Sequence, residues 1–157
     1  MDAGQRQYLE QRYAASEWHG RGLAVRRLIT GFDFSGSELS GWTLLRADRE
    51  GRAMPPAIRT LWHRGNPAAE LLSIDVWECA SIPAAHDQLL EVLANVQSDA
   101  VERRDRLGDV AFSLGNTMAL FARVNVVALI RNAGPTVVDV DPIAHVVDDL
   151  LVRLSEP

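Results

Sequence analysis

The sequence predicts an α+β protein in which helices pack on an antiparallel sheet. Short runs of β-branched and aromatic residues, separated by Gly, Asn and Pro, are typical of strands joined in hairpins. Two other segments repeat apolar residues every three or four positions, which is typical of helices with one buried face. The chain has 157 residues, 47% of them hydrophobic, enough to build one core. We therefore expect residues 1–157 to form a single globular domain.

The N-terminal part of the chain carries the weakest pattern. Gln5–Trp18 contains helix-forming residues but only a thin apolar stripe, so residues 1–22 are predicted to be a helical segment that attaches only loosely. A strand is predicted from Trp42 to Ala47, followed by a polar loop over Asp48–Pro56.

Residues 57–79 predict a hairpin whose turn is centred on Pro67. In that register one face is apolar and includes Trp62, whereas the other face places Arg59 opposite Asp75. An opposite-charge pair across two strands contributes roughly 0.2 to 1 kcal/mol, which favours this register over its neighbours.

Two amphipathic helices are predicted, over residues 82–97 and 142–154. Ser81 is a suitable N-cap for the first helix. Asp141 is a suitable N-cap for the second, with Pro142 at the first helical position, where the N–H that proline lacks is not needed.

Between these helices, a polar connector over residues 98–108 leads into a predicted antiparallel meander over residues 110–131. The Gly-Asn pair at 115–116 predicts a two-residue turn, which would place Phe112 beside Ala119. The last strand of the meander is apolar on both faces, so something must cover each face. The cover is either the N-terminal helix or a second copy of the chain, and the pattern favours a homodimer.

Short motifs stand in order along the second half of the chain: Gly108–Phe112, Phe121–Arg123, Asn125–Val127 and Ile143–Ala144. With the order of the predicted elements, they resemble bacterial α/β-sandwich domains, namely the PsbP/Mog1-like group and the sensor domains of mycobacterial kinases. The resemblance covers residues 57–154. It implies an α/β-sandwich fold and a role in binding partners or ligands. Those families share no catalytic residues, so the resemblance assigns no site residue and no transferable activity.

The basic residues exclude several chemistries. Lys and Arg together number 16, and all of them are arginine. Schiff-base catalysis requires a lysine amine and a P-loop requires a Gly-Lys-Ser/Thr sequence, so both are excluded. A formal net charge of −5 opposes binding to the phosphate backbone of a nucleic acid.

Membrane, metal and cofactor sites are also not expected. The longest apolar run is far shorter than the roughly 20 residues of a membrane span, and the N-terminus has no apolar region of a signal peptide. The one cysteine cannot form an intramolecular disulfide. The histidines do not have the spacing of a local metal site, and no cofactor motif is present. We therefore expect a cytoplasmic protein with no metal and no cofactor.

Two enzyme hypotheses can be written from the residues. The sequence around Ser113 differs at one position from a Gly-x-Ser-x-Gly nucleophile elbow, and Asp141 and His145 follow in the order of a hydrolase triad. The elbow requires a helix after the serine, whereas the turn at 115–116 predicts a strand, so a serine at a hairpin end is the alternative. Cys79 lies close to a predicted helix start, which can activate a thiol, although free cysteine is usually buried and inert.

The remaining candidates lie on the charged face of the hairpin. They are Trp77, Arg59, Asp75 and His63, and Trp42 is a further candidate for the same face. Aromatic surface with a few convergent polar groups is typical of ligand pockets and protein interfaces. Because no complete catalytic set is found, the sequence favours a non-enzymatic binding domain for a protein partner or a small ligand. The alternative is a small hydrolase or a thiol enzyme.

Overall fold

A seven-stranded antiparallel sheet forms the centre of the described structure, which confirms the predicted α+β class. The computed structural model describes residues 1–26, 39–66 and 69–155. Within these residues the strands are β1 (Thr43–Glu50), β2 (Ala57–His63), β3 (Leu71–Glu78), β4 (Glu102–Arg104), β5 (Val110–Leu114), β6 (Met118–Arg123) and β7 (Val126–Asn132). Their order across the sheet is β1-β2-β3-β7-β6-β5-β4, so the pairing of β3 with β7 joins two meanders.

The predicted hairpin register is confirmed. Arg59 of β2 is directly opposite Asp75 of β3, and Trp62 is opposite Leu72. Trp62 is 1% exposed, as expected for the apolar face. The predicted turn residue Pro67 lies outside the described residues.

Two predicted loops contain strands instead. β1 continues to Glu50, because the chain resumes its pairing with β2 after a bulge between Leu44 and Arg46. β4 forms inside the predicted connector over residues 98–108 and pairs with β5. Both are the outermost strands of the sheet, where one side of the strand faces water. Polar sequences are typical of such edge strands, which is why they were predicted as loops.

The predicted turn between β5 and β6 is one residue too short. Leu114 pairs with Met118, so three residues connect the strands and Phe112 pairs with Leu120 rather than Ala119. Thr117 accounts for the extra residue, because its N–H and its hydroxyl both donate to the Leu114 carbonyl. The stretch after the turn is nevertheless a strand, as predicted.

Among the described residues the α-helices are α1 (Ala3–Arg12), α2 (Ile82–Val96) and α3 (Asp141–Ser155). The Ser81 hydroxyl accepts a hydrogen bond from the Ala84 N–H at 3.2 Å, so Ser81 caps α2 as predicted. Asp141 is the first residue of α3 rather than its N-cap. Its N–H donates to the Asp139 carboxylate at 3.0 Å, so Asp139 supplies the oxygen expected from Asp141. None of these helices is long and apolar enough to cross a membrane.

The helices cover the sheet from both sides, and we name the faces after them. The α3 face packs against α3 and contains the Trp62 core cluster, whereas the α2 face packs against α2 and α1. Alternate residues of β7 enter the two clusters: Val126 and Val127, one on each face, are both 0% exposed. The strand that led us to expect a homodimer is therefore covered on both faces by its own chain.

The N-terminal helix lies on α2. Leu9 is the buried residue of α1, and Trp18, just after it, is 7% exposed. The Trp18 ring lies 5.6 Å from the ring of Phe112, between centroids, and Arg6 forms an ion pair with Asp87 of α2. The segment thus contributes two apolar side chains to the core of the α2 face.

Candidate binding face on the sheet

The α2 face is covered over β6 and most of β7, whereas most of its side chains on β1 and β2 are exposed or half-buried. Arg46 and Arg59, for example, keep 73% and 50% of their side-chain surface. Ala57, which is 1% exposed, is an exception. Charged residues dominate this open half of the face, which we call the charged patch. Its members are Arg46, Asp48, Glu50, Arg59, Asp75 and Arg131.

Strand pairing brings these residues together. Asp48, Arg59 and Asp75 are directly opposite one another on β1, β2 and β3. Directly opposite residues point to the same side of a sheet, as do residues two apart in one strand. Arg131 of β7 is opposite Ser73, two residues from Asp75, so it joins the patch from the other side.

Asp75 lies at the centre of the charged patch and is only 6% exposed. Its ion-pair partner is Arg131, with 3.7 Å between the Arg131 Nη2 and Asp75 Oδ2 atoms, which is beyond hydrogen-bond distance. Arg59 is directed toward Glu50 instead, at 3.7 Å between Nε and Oε1. Among the described residues, no group donates a hydrogen bond to the Asp75 carboxylate.

The electrostatics agree with this geometry. Burial raises the pKa of Asp75, because the charged carboxylate loses hydration. The positive charges of Arg131 and Arg59 lower that pKa and the negative charge of Glu50 raises it, and the net effect is a raised pKa. The two arginines therefore compensate the burial of Asp75 only in part.

The structure brings together part of the predicted site. Arg59 and Asp75 face each other, but Trp77, two residues along β3, is 9% exposed in the core beneath α2. His63 lies on the same face at the far end of β2, where its buried Nδ1 has no hydrogen-bond partner among the described residues. Trp42 belongs to the α3 face instead. Leu44, two residues along, is opposite Trp62 of that face, and the bulge between Leu44 and Arg46 moves Arg46 and the alternate residues after it to the α2 face.

Four members of the charged patch are not identified from the sequence: Arg46, Asp48, Glu50 and Arg131. Arg46 lies in a predicted strand without a signal for this face, and Asp48 falls, like Glu50, in the predicted loop. Glu50 was placed in a loop, although the alternating charges of residues 46–50 are a signal for a solvent-facing edge strand. Arg131 joins the patch through the pairing of β3 with β7, and no local sequence signal reports that pairing.

The patch is shallow. A depression of about 250 Å³ lies over Arg46, Asp48, Arg59 and Ser73. Pockets for small organic ligands usually have volumes of roughly 300–1,000 Å³, so this depression is below that range.

The residues of the hydrolase hypothesis do not form a nucleophile elbow. Ser113 lies within β5, opposite Ala119 of β6, so the helix that an elbow requires after the serine is a strand. His145 and Asp141 are 3.8 Å apart between Nε2 and Oδ2, while the other oxygen of Asp141 contacts Arg104. No hydrogen bond links Ser113 to His145 in the described structure.

The thiol of Cys79 is buried, with 5% of the residue exposed. Burial raises the pKa of the Cys79 thiol to about 12, and the carboxylates of Glu78 and Asp87 act in the same direction. The nucleophilic form of cysteine is the thiolate, so this environment opposes the chemistry of a thiol enzyme.

Metal-binding groups are not assembled in the described part of the chain. There, no three His, Cys, Asp or Glu side chains are placed to hold a metal ion.

Comparison with known proteins gives no match: no family model fits the chain, and no curated protein and no solved structure is significantly similar to it.

Proposed function

We propose that the protein is a non-enzymatic binding domain and that the charged patch contacts a protein partner. The observation that carries the proposal is Asp75, a carboxylate that is 6% exposed and accepts no hydrogen bond from the described residues. Removing a charged group from water without full compensation costs free energy. A donor supplied by a partner would offset that cost in the complex.

The shape and composition of the patch favour a protein over a small ligand. The depression is about 250 Å³, too small for most small-ligand pockets, whereas the patch extends over four strands. Arginine is enriched at protein interfaces, where it combines charge, hydrogen bonding and apolar contact. A partner with acidic groups for Arg59 and Arg131 and a basic donor for Asp75 would match all three charges.

A comparative capture experiment tests the proposal. Extracts of the source organism are passed over the immobilised wild type, Arg59→Glu, Arg131→Glu and the control Arg153→Glu, whose exposed arginine lies on α3. We expect a protein that is retained by the wild type and the control and lost from both patch variants. The proposal would be contradicted if every captured protein were retained equally by all four immobilised chains, or if no protein were captured by any of them. If native mass spectrometry instead shows a small molecule bound to the wild type and absent from both patch variants, the ligand of the charged patch is a small molecule and not a protein.

A further inference from the structure

A second concave surface lies between the β1–β2 connection and the N-terminal half of α2. It is a groove of about 500 Å³, well inside the roughly 300–1,000 Å³ range of small-ligand pockets. One wall consists of Met54, Pro55 and Pro56, and the other includes Ala80 and Ala84. Its walls are therefore largely apolar, and it lies apart from the charged patch.

Met54 forms the lip of the groove and is 94% exposed. A fully exposed methionine leaves apolar surface in water that a bound molecule would bury. Methionine has an unbranched, flexible side chain that adapts to ligands of different shape. The Met54 side chain can therefore pack against the apolar part of a ligand in the groove.

All charged side chains that line the groove are acidic: Glu78, Asp87 and Glu91. Asp87 is already paired with Arg6, whereas Glu91 has no ion pair or hydrogen bond with another described residue. The carboxylates of Glu78 and Asp87 contribute to the raised pKa of the Cys79 thiol at the groove. The groove thus combines apolar walls with acidic side chains, of which Glu91 has no ion-pair partner among the described residues.

We infer that this groove binds a small organic cation, a molecule with an apolar body and one ammonium group. Apolar walls favour the body, and the Glu91 carboxylate at the rim favours the cation. An anion of the same shape would be repelled, and a neutral analogue would lack the charge attraction. Each property follows from the groove itself and is independent of what binds the charged patch.

Three probes that share a phenylbutyl body test the inference: 4-phenylbutylammonium, 4-phenylbutanol and 4-phenylbutyrate. Affinities are measured by calorimetry at pH 7 and low salt. We expect the ammonium to bind about tenfold more tightly than the alcohol, and the carboxylate to bind more weakly than either. Equal affinity of ammonium and alcohol, or no binding of the ammonium, would overturn the inference.

Variants assign the binding to the groove. Glu91→Gln should reduce the preference for the ammonium over the alcohol, and Met54→Ala should weaken both ligands while the fold stays intact, because Met54 is exposed. Ala84→Trp should fill the groove and abolish both. The control Asp149→Asn removes an exposed carboxylate on α3 and should change neither affinity. Unchanged binding in both Glu91→Gln and Met54→Ala would place the cation elsewhere. Tighter binding of the peptide acetyl-Phe-Lys-amide than of the amine would make the groove a peptide site instead.

Discussion

At the scale of single residues, two of the four buried polar or charged residues in the described structure, Asn125 and Asp75, differ in how well their hydrogen-bonding groups are satisfied. Asn125 is 1% exposed, and its Oδ1 accepts from the Val25 N–H at 2.7 Å, while its Nδ2 donates to the carbonyls of Val25 and Cys79 at 2.8 Å each. Asp75 is 6% exposed and receives no comparable bond from the described residues. The hydrogen bonds of Asn125 therefore stabilise the fold, whereas the burial of Asp75 costs folding free energy.

The Asn125→Ala substitution should destabilise the protein by about 2–3 kcal/mol, because it leaves buried backbone groups without partners. Urea unfolding monitored by circular dichroism measures the effect. Asn95→Ala is the matched control, since Asn95 is exposed on α2 and its loss should stay within about 0.5 kcal/mol. Equal effects of the two substitutions would show that the Asn125 hydrogen bonds do not contribute.

Cys79 should react slowly in the native protein, because its raised pKa of about 12 keeps the thiol protonated at neutral pH. A thiol reagent such as DTNB at pH 8 should label it only after unfolding in urea. Rapid labelling of the native chain would revive the thiol-enzyme hypothesis.

At the scale of elements, the sequence predicts those features that depend on contacts between residues close together along the chain. The register of β2 and β3 followed from the apolar face and from the Arg59–Asp75 pair, and the cap of α2 followed from Ser81. The turn between β5 and β6 was predicted one residue short, because the Thr117 hydrogen bonds to Leu114 compete with the Gly-Asn signal. The edge strands were missed because their charged residues resemble a loop.

Gly108 sets how closely the chain before β5 can approach β6. It has a φ of +58°, and a Cβ built there would lie 2.6 Å from the Ala122 carbonyl oxygen. Gly115 has a similar φ of +54° but open space around it. We expect Gly115→Ala to cost about 1–2 kcal/mol for the left-handed backbone alone, and Gly108→Ala to cost clearly more. Thermal unfolding of the two variants separates the cost of the left-handed backbone from the cost of the steric contact. Similar losses of stability in both variants would contradict the close approach of Gly108 to β6.

Trp18 should decide how firmly the N-terminal segment is attached. It is 7% exposed and its ring packs on Phe112, so Trp18→Ala should destabilise the whole chain by about 3–5 kcal/mol. Tyr8→Ala, which removes a ring that is 56% exposed, is the control with a small expected effect. A small effect of both would mean that the segment is only loosely attached. Chemical denaturation curves of both variants measure the difference.

At the scale of the whole molecule, the charged patch depends on how the two meanders are joined. Arg131 reaches the patch only because β7 pairs with β3, although α2 and the strands β4, β5 and β6 separate the two strands along the chain. Periodicity and turn residues report neighbours in sequence, so they predicted Arg59 and Asp75 but not Arg131. The fold class could be predicted from local patterns, whereas the full site required the strand order.

We propose that the Asp75 carboxylate is buried at the expense of fold stability because a partner uses it. Its pKa is raised in the folded state, so the folded chain holds this proton more tightly than the unfolded chain. The contribution of Asp75 to the unfolding free energy is therefore most favourable below the ordinary carboxyl pKa of about 3.9, and it is lost as the pH rises through the raised pKa of the folded state.

The unfolding free energy of Asp75→Asn against pH tests this claim most directly. At pH 7 the variant should be more stable than the wild type, and the difference should shrink as the pH falls into the acid range where Asp75 is protonated. Asp149→Asn, an exposed acid on α3, should show no such trend. A variant that is equally or less stable than the wild type at pH 7 would mean that Arg59 and Arg131 already satisfy the carboxylate, and the case for a partner at the charged patch would fail.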